Sequence, residues 1–273
     1  YSTLHVNYCH SPPRWFYDLY HDRKDSLVGQ LARPLLRYLR LRDATVDPRV
    51  DDYLANSPVV ARRLGKYYNR EATVLPPPVD TAAYRDGGDD GFYLHLGRLD
   101  AEKGVPAVVE AFDGDGWAGD ADRRLVFAGG RGDVADRVVD RIERSPALEY
   151  RGFVPEAEKR DLLATCRAVV FNARAEDFGI VPVEANASGK AVLAREEGFP
   201  GVYVEDGENG LLHDGTPAGI RRAVERFEAE GIAGDPVDRS SRYSTEGFGR
   251  RLREYLAAGY EDFRSIDAVD GQA

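Results

Sequence analysis

Two glutamates eight residues apart lie in the segment Glu176–Gly189, which has the sequence EDFGIVPVEANASG. Pro182 suits a first helical position, because its φ is already helical and its missing N–H costs nothing there. Gly189 suits the end of the same helix, because glycine enters a left-handed cap without strain. The free N–H groups at a helix start attract anions, and carboxylates beside an anion site suit hydroxyl groups. The segment therefore indicates a ligand with both phosphate and hydroxyl groups, as in a sugar nucleotide.

An apolar run, Ala168–Phe171, precedes this segment and predicts a buried strand, with the helix beginning near Gly179–Pro182. Similar strand–helix pairs recur between residues 92 and 240. The predicted strands are Phe92–Leu96, Arg124–Ala128, Leu148–Tyr150, Ala168–Phe171 and Ala191–Ala194, and the predicted helices are Val105–Phe112, Val134–Glu143, Glu156–Cys166 and Val181–Ser188. This alternation predicts an α/β fold with a parallel, doubly wound sheet.

The first 80 residues carry two further strand-like runs, Leu4–Cys9 and Tyr53–Asn56. Asn56-Ser57-Pro58 predicts the start of a helix, with a capping side chain followed by proline. The stretch Leu27–Arg42 has apolar residues at helical spacing, interleaved with arginines at positions 33, 37, 40 and 42. We expect this helix to pack on a core and to solvate its other face; contact with anionic lipid is the alternative.

A domain boundary is predicted where three prolines, Pro76–Pro78, and a polar stretch, Arg85–Gly91, follow one another. The expected organisation is a first domain over residues 1–85, a second over 86–245, and a C-terminal helix and tail over 246–273.

Length, charge and cysteine usage restrict the class of protein. The chain has 273 residues, enough for one large domain or two small ones, and a net charge of −10, which argues against nucleic acid as a partner. No apolar run approaches the length of a membrane helix, and no signal peptide is visible. Cys9 and Cys166 lack metal-ligand spacing, so a reduced, cytoplasmic setting without a metal site is expected.

The chain has 5 lysines and 28 aspartates. This bias is typical of adaptation to high salt, and a GC-rich mesophile with an acidic surface is the alternative interpretation.

Four segments together resemble the retaining glycosyltransferases of family 4. The Glu176-x7-Glu184 spacing resembles the family's signature, and three further segments follow the family's order. These segments are Leu96–Gly104, LGRLDAEKG; Leu148–Val154, LEYRGFV; and Ala72–Asp80, ATVLPPPVD. The resemblance covers essentially the whole chain and implies the GT-B fold, with two Rossmann-like doubly wound domains.

The resemblance also implies that the N-terminal domain is incomplete. The family's early Gly-rich acceptor loop has no match, and the chain contains no methionine and begins at Tyr1. We therefore expect an N-terminally truncated chain that binds donor but is inactive alone; a naturally shorter protein with another first domain is the alternative.

The resemblance assigns roles to the residues around the two glutamates. Glu184 would accept hydrogen bonds from the ribose hydroxyls, or would merely favour the helix dipole. Glu176 would lie beside the transferred sugar, or would be an ordinary loop acid. Phe178, Gly179 and Ile180 would offer backbone N–H groups to sugar hydroxyls, with their side chains mostly used in packing.

Arg98 and Lys103 would bind the donor diphosphate and stabilise the charge that develops on the leaving group. Their alternative is a solvated pair at a helix start with Glu102 as partner. Gly97 would let the backbone approach the ligand, and Val154 closes the segment that resembles the nucleobase site.

In the N-terminal half, His10 and Arg14 lie in a segment that resembles the family's His-x-Pro-x-Arg. His10 would donate to a sugar hydroxyl and Arg14 would meet acceptor or phosphate, or His10 would be purely structural. The stretch Gly129–Asp133, GGRGD, lacks the full phosphate-loop pattern and predicts a plain turn. The family pattern is broken at Asn172, where proline is usual, and at Asn186; we expect both changes to adjust donor preference.

The function implied is a retaining, metal-independent transfer from a nucleotide sugar to a glycan or lipid-linked acceptor, with no cofactor. The segments of the N-terminal half most resemble mannosyltransferases of cell-surface polysaccharide assembly, so GDP-mannose is the first donor expected, with UDP-sugars next. The expected location is the cytoplasm, with peripheral contact to the inner face of the membrane. The alternatives are a non-catalytic nucleotide-sugar binding module and another GT-B enzyme such as an epimerase.

Overall fold

The computed structural model describes residues 3–13, 17, 27–46, 49–114, 117 and 123–270. The chain divides into two compact units, the first made of Tyr1–Pro77 with Glu246–Ala273 and the second of Pro78–Thr245. The sequence placed the boundary after residue 85 and treated residues 246–273 as a separate segment, whereas the structure divides after Pro77 and groups those residues with the first unit.

The described residues of the second unit form six parallel strands in one sheet. In chain order they are β4 (Phe92–Leu96), β5 (Arg124–Ala128), β6 (Leu148–Tyr150), β7 (Ala168–Phe171), β8 (Ala191–Arg195) and β9 (Gly210–His213). Their spatial order is β6-β5-β4-β7-β8-β9. The order reverses between β4 and β7, where Tyr93 pairs with Ala168 and Leu94 with Val169. Ligands of open α/β sheets bind at such a switch point, beyond the carboxyl ends of the strands.

Seven helices connect and flank these strands among the described residues of the second unit. They are α3 (Val105–Phe112), α4 (Ala135–Arg144), α5 (Glu156–Thr165), α6 (Ile180–Ala187), α7 (Pro200–Tyr203), α8 (Pro217–Glu230) and α9 (Pro236–Ser241), together with a 3-10 turn at Thr81–Ala83. The predicted alternation of strand and helix is therefore confirmed.

Helix α6 shows why the proline prediction was only partly right. Pro182 is the third helical residue, after the N-cap Gly179, and the first position is Ile180. Proline is tolerated there because the first N–H groups of a helix lack intrahelical acceptors in any case. The helix ends as predicted, since Gly189 follows it with φ +72°.

The core of the second unit is formed by the strands and the inner faces of the helices. Tyr93, Leu125, Phe127 and Leu193 from the sheet are fully buried against Phe112 and other helix residues. Because the strands are covered on both faces, their sequences are mostly apolar rather than alternating.

In the part of the first unit that the structure describes, three parallel strands lie in the order β1 (Val6–Cys9), β2 (Asp52–Ala55) and β3 (Thr73–Val74). The helices described there are α1 (Leu27–Val46), α2 (Pro58–Tyr68) and α10, which begins at Thr245 and ends at Asp270. The predicted helix start is confirmed, because Ser57 caps α2 by accepting a hydrogen bond from Val60 N. The Tyr255 hydroxyl of α10 hydrogen-bonds to Asp52, and a small core forms around Leu64.

Helix α1 exposes more apolar surface than the sequence led us to expect. Leu35, Tyr38 and Leu41 are 59%, 56% and 61% exposed. They lie on one side of the helix, while Leu36 and Leu39 are only partly exposed. The prediction of a helix whose apolar residues pack on the core is therefore wrong for this face. No helix among the described residues is long and apolar enough to span a bilayer.

Candidate functional site

The structure brings Lys103 and Glu176 together. Lys103 Nζ donates to Glu176 Oε2 at 2.6 Å, and the two side chains are 29% and 23% exposed. Lys103 belongs to the loop after β4, and Glu176 belongs to the loop after β7. The pair therefore joins the two loops on either side of the switch point, at the surface where a ligand can reach it.

Glycines fix the shape of the first of these loops. Gly104 caps α3 with φ +68°, and a Cβ there would lie 2.4 Å from the carbonyl oxygen of Asn172. Asn172 Nδ2 in turn donates to Gly104 O at 3.1 Å and to Gly215 O at 3.3 Å. Asn172 thus connects three loops through its side-chain amide, which proline, the usual residue of the family here, could not do. None of these contacts relates Asn172 to donor preference.

The GGRGD stretch, Gly129–Asp133, packs against the loop after β4 that carries Lys103. Leu99 N donates to Gly130 O at 3.0 Å, and Asp133 N donates to Asp100 Oδ1 at 3.0 Å. A Cβ at Gly132 would lie 2.0 Å from Asp100 Oδ1. This stretch is therefore a supporting turn, as predicted, rather than a phosphate loop of its own.

Arg98 lies in the same loop but has a different partner. Its guanidinium contacts Asp100 Oδ2 at 2.9 Å and the side chain is 70% exposed. Gly97, directly before it, has φ +152°, and its N–H donates to Ala128 O. The alternative, in which Glu102 pairs with Arg98 or Lys103, does not occur among the described contacts, because Arg98 pairs with Asp100 and Lys103 with Glu176.

Glu176 is held through its main chain. Its carbonyl accepts from Phe199 N at 2.9 Å, and a Cβ at Gly198 would lie 2.7 Å from the Glu176 backbone. The preceding residue, Ala175, has φ +47°, an uncommon conformation for a residue with a Cβ. Left-handed backbone beside a candidate site residue is a recognised place for stored strain.

The helix start after Glu176 offers unpaired donors. The N–H groups of Gly179 and Ile180 donate to no acceptor among the described residues. Phe178 is buried and stacks on Phe199 at 4.4 Å between ring centroids. The expectation that these side chains serve packing thus holds for Phe178 but not for Ile180, which is 46% exposed.

Glu184 lies one turn further along α6 and is nearly buried. Its Oε1 accepts from Tyr84 Oη at 2.7 Å and from Lys159 Nζ at 2.9 Å. Burial raises the pKa of Tyr84, and the hydrogen bond to Glu184 raises it further. Burial disfavours the charge on Lys159, but its hydrogen bonds to Glu184 and Glu156 outweigh burial and raise its pKa. No motif in the sequence marks Tyr84 or Lys159 as partners of Glu184.

Two further sequence candidates of the second unit, Val154 and Asn186, differ in how deeply they are buried. Val154 is partly buried in the loop between β6 and α5. Asn186 is fully buried and uses its amide on Lys190 O, Asn209 and Tyr203, so it is a packing residue and not a donor contact. Within the described part of the chain, no three His, Cys, Asp or Glu side chains gather as a metal site.

His10 belongs to the first unit. Its imidazole is exposed and its carbonyl accepts from Asn56 Nδ2 at 2.9 Å. It lines a pocket of about 300 Å³ that also contains Asp43 and Tyr68. Arg14 lies outside the described residues.

The chain matches known proteins over both units. The family model described as "Glycosyl transferases group 1" matches residues 80–236. An alpha-1,3/1,6-mannosyltransferase of Dictyostelium discoideum is 27% identical over 55% of this chain and 39% of its own length. A D-inositol 3-phosphate glycosyltransferase of Acidothermus cellulolyticus is 27% identical over 71% of this chain and 49% of its own length.

The chain thus spans half or less of these two curated relatives. Among solved structures, Anabaena HepE in complex with UDP and glucose has a TM-score of 0.70 at 18% identity, covering 92% of this chain and 71% of that one. The likeness confirms the expected α/β fold of GT-B type. Since the family model covers more than half of the chain, this protein belongs to the group 1 glycosyl transferases.

Proposed function

We propose that this chain carries the donor site of a retaining glycosyltransferase that moves a sugar from a nucleotide to a glycan or lipid-linked acceptor. The observation that carries the proposal is the Lys103–Glu176 pair, which places one cation and one carboxylate at the switch point of the sheet. A nucleotide sugar needs both, because its diphosphate is anionic and its sugar presents hydroxyl groups.

Each side chain has a role in this proposal. Lys103 and the fork of Arg98 bind the diphosphate and stabilise the charge that grows as the sugar–phosphate bond breaks. The N–H groups of Gly179 and Ile180 and the carboxylate of Glu176 contact the transferred sugar. Glu184 accepts from the ribose. The leaving phosphate helps to take the acceptor's proton, so neither a protein nucleophile nor a metal is part of the proposal.

The donor we propose first is GDP-mannose, with UDP-sugars second. Support for mannose comes from relatives that are named mannosyltransferases. Support for uridine comes from the Anabaena structure, which was solved with UDP and glucose. The two possibilities differ in the base and therefore separate in a binding experiment.

The test is calorimetric titration of the chain in high salt with GDP, UDP, ADP, GDP-mannose and UDP-glucose. Arg98→Ala is compared with Arg137→Ala, an exposed arginine on α4. We expect one base to bind, with weaker affinity in Arg98→Ala and unchanged affinity in Arg137→Ala. A folded chain that binds none of the five ligands would overturn the donor site.

For helix α1 we propose peripheral contact with an anionic membrane surface. The exposed Leu35, Tyr38 and Leu41 supply apolar contact, and Arg37 and Arg42 on the exposed side supply positive charge in an otherwise acidic protein. The test is sedimentation with vesicles of anionic and of neutral lipid. Binding to anionic vesicles that is lost in the double variant Leu35→Glu/Leu41→Glu supports the contact. Equal binding to anionic and neutral vesicles, or no binding to either, contradicts it.

A further inference from the structure

The two carboxylate oxygens of Glu184 have different surroundings. Oε1 accepts both the Tyr84 hydroxyl and the Lys159 ammonium group. Oε2 accepts no hydrogen bond from the described residues. It is also not one of the fully buried side-chain atoms that lack a partner, so Oε2 is not sealed from solvent. The side chain as a whole is only 9% exposed. One oxygen is therefore fixed from inside the protein, and the other keeps access to solvent.

The two donors are themselves held in place from separate elements. Tyr84 follows the 3-10 turn Thr81–Ala83, and its ring lies 5.9 Å from Lys159 Nζ and 5.6 Å from the Arg160 guanidinium carbon. Lys159 is on α5 and also contacts Glu156 Oε2 at 2.9 Å. Neither donor can leave Glu184 without breaking further contacts.

We propose that Tyr84 and Lys159 are positioning residues that hold Oε1 of Glu184, so that Oε2 is aimed at the ribose hydroxyls of the donor. This inference rests on the function proposed above and adds the groups that set its preference for ribonucleotides.

The physical reason is the freedom of a carboxylate. The last torsion of glutamate is broad, so a carboxylate without partners samples many orientations and binds hydroxyls at an entropic cost. Two donors on one oxygen fix the carboxylate plane before the ligand arrives, which is preorganisation. They also offset the cost of burying the charge.

The experiment measures how strongly the chain prefers a ribonucleotide to its deoxy analogue. The nucleoside diphosphate that binds best is titrated beside its 2′-deoxy and 3′-deoxy forms. For the unmodified chain we expect at least one deoxy form to bind about tenfold more weakly, as for a lost hydrogen bond to a charged group. In Tyr84→Phe and Lys159→Met we expect that preference to fall to about threefold or less.

A matched control exists in the same unit. Tyr93 Oη donates to Glu228 at 3.1 Å, and Arg123 contacts the same carboxylate at 2.7 Å, so this trio has the same chemistry away from the candidate site. Tyr93→Phe and Arg123→Met should lower thermal stability while leaving the ribose preference unchanged. A purely structural role for Tyr84 and Lys159 would make all four variants behave alike.

The outcomes separate the two proposals. If no nucleotide binds to the unmodified, folded chain, the donor site itself is wrong. If nucleotides bind but the preference is unchanged in Tyr84→Phe and Lys159→Met, the donor site stands and the positioning role is overturned. If the unmodified chain shows no preference for ribose, the positioning role is also overturned.

Discussion

Lys103 Nζ lies 2.6 Å from Glu176 Oε2, and this contact joins residues 73 positions apart in the sequence. Both side chains keep access to solvent, so the pair contributes about 1 kcal/mol or less to stability. Its position at the switch point gives it a different use. A diphosphate bound there would contact the Lys103 ammonium group. Among the described contacts, the carboxylate of Glu176 is the one partner with which the phosphate would compete.

Lys103→Met is expected to weaken binding of a nucleoside diphosphate by about tenfold or more, because a charge-assisted hydrogen bond to phosphate is lost. It also leaves Glu176 as an uncompensated negative charge beside the phosphates. Calorimetric titration measures the effect.

The control is Lys66→Met, since Lys66 is an exposed lysine of the first unit. Equal losses of affinity in the two variants would show that affinity depends on the net charge of the protein and not on contact between Lys103 and the ligand.

Gly104→Ala should destabilise the protein by more than its backbone conformation alone explains. Gly104 has φ +68° and ψ +19°, so its left-handed backbone alone should make Gly104→Ala cost about 1–2 kcal/mol. The close approach of the new Cβ to Asn172 O should add about 1–3 kcal/mol. Urea denaturation measures the loss, and a loss of no more than about 2 kcal/mol would contradict the contact with Asn172.

Stability should fall as the pH is lowered from 7 to 5. Burial lowers the pKa of His95 to about 4 and that of His213 to about 4, against an ordinary value of 6.5. Between these values the unfolded chain binds more protons than the folded one, so acid favours unfolding. Each histidine contributes about 2 kcal/mol over this interval.

The tautomer of His95 follows from its one hydrogen bond. Nδ1 lies 3.1 Å from Val170 O and must donate, which leaves Nε2 as a buried acceptor without a partner. His95→Gln should therefore give a shallower dependence of the unfolding free energy on pH. An unchanged slope would rule out His95 as a source of it.

The two cysteines should differ in reactivity. Burial raises the pKa of the Cys166 thiol to about 12, whereas Cys9 is only partly buried. The thiolate is the reactive form, so Ellman's reagent should modify Cys9 alone in the native protein and both cysteines in urea. Modification of Cys166 under native conditions, located by mass spectrometry, would contradict its burial.

Five of the six described strands of the second unit were predictable because they are mainly apolar, although β4 contains His95 and β6 contains Glu149. The bounds of β4, β5, β6 and β7 agree with the prediction. Strand β9 was missed because Gly210–His213 follows the turn-like stretch Glu205–Asn209 and itself begins with glycine, which is typical of a turn. Helix α1 was misjudged because helical spacing says which residues share a face but not what covers it.

Candidate site residues could be named from the sequence only where a local pattern marks them, as in Leu96–Gly104 and Glu176–Gly189. Glu176, Gly179 and Glu184 occur in one segment whose pattern is informative by itself. The partners of Glu184 come from 100 and 25 positions away, and no local pattern marks Tyr84 or Lys159. They become neighbours only through the folding of three separate elements.

The most direct test of the donor site is hydrogen–deuterium exchange with and without the nucleotide that binds best. Protection is expected in peptides that cover residues 97–104 and 176–187, where Lys103, Glu176 and Glu184 lie. The peptide around His213, which lines a separate pocket of about 240 Å³, should be unaffected. Protection confined to that pocket or to the first unit, with none at residues 97–104 and 176–187, would contradict the account.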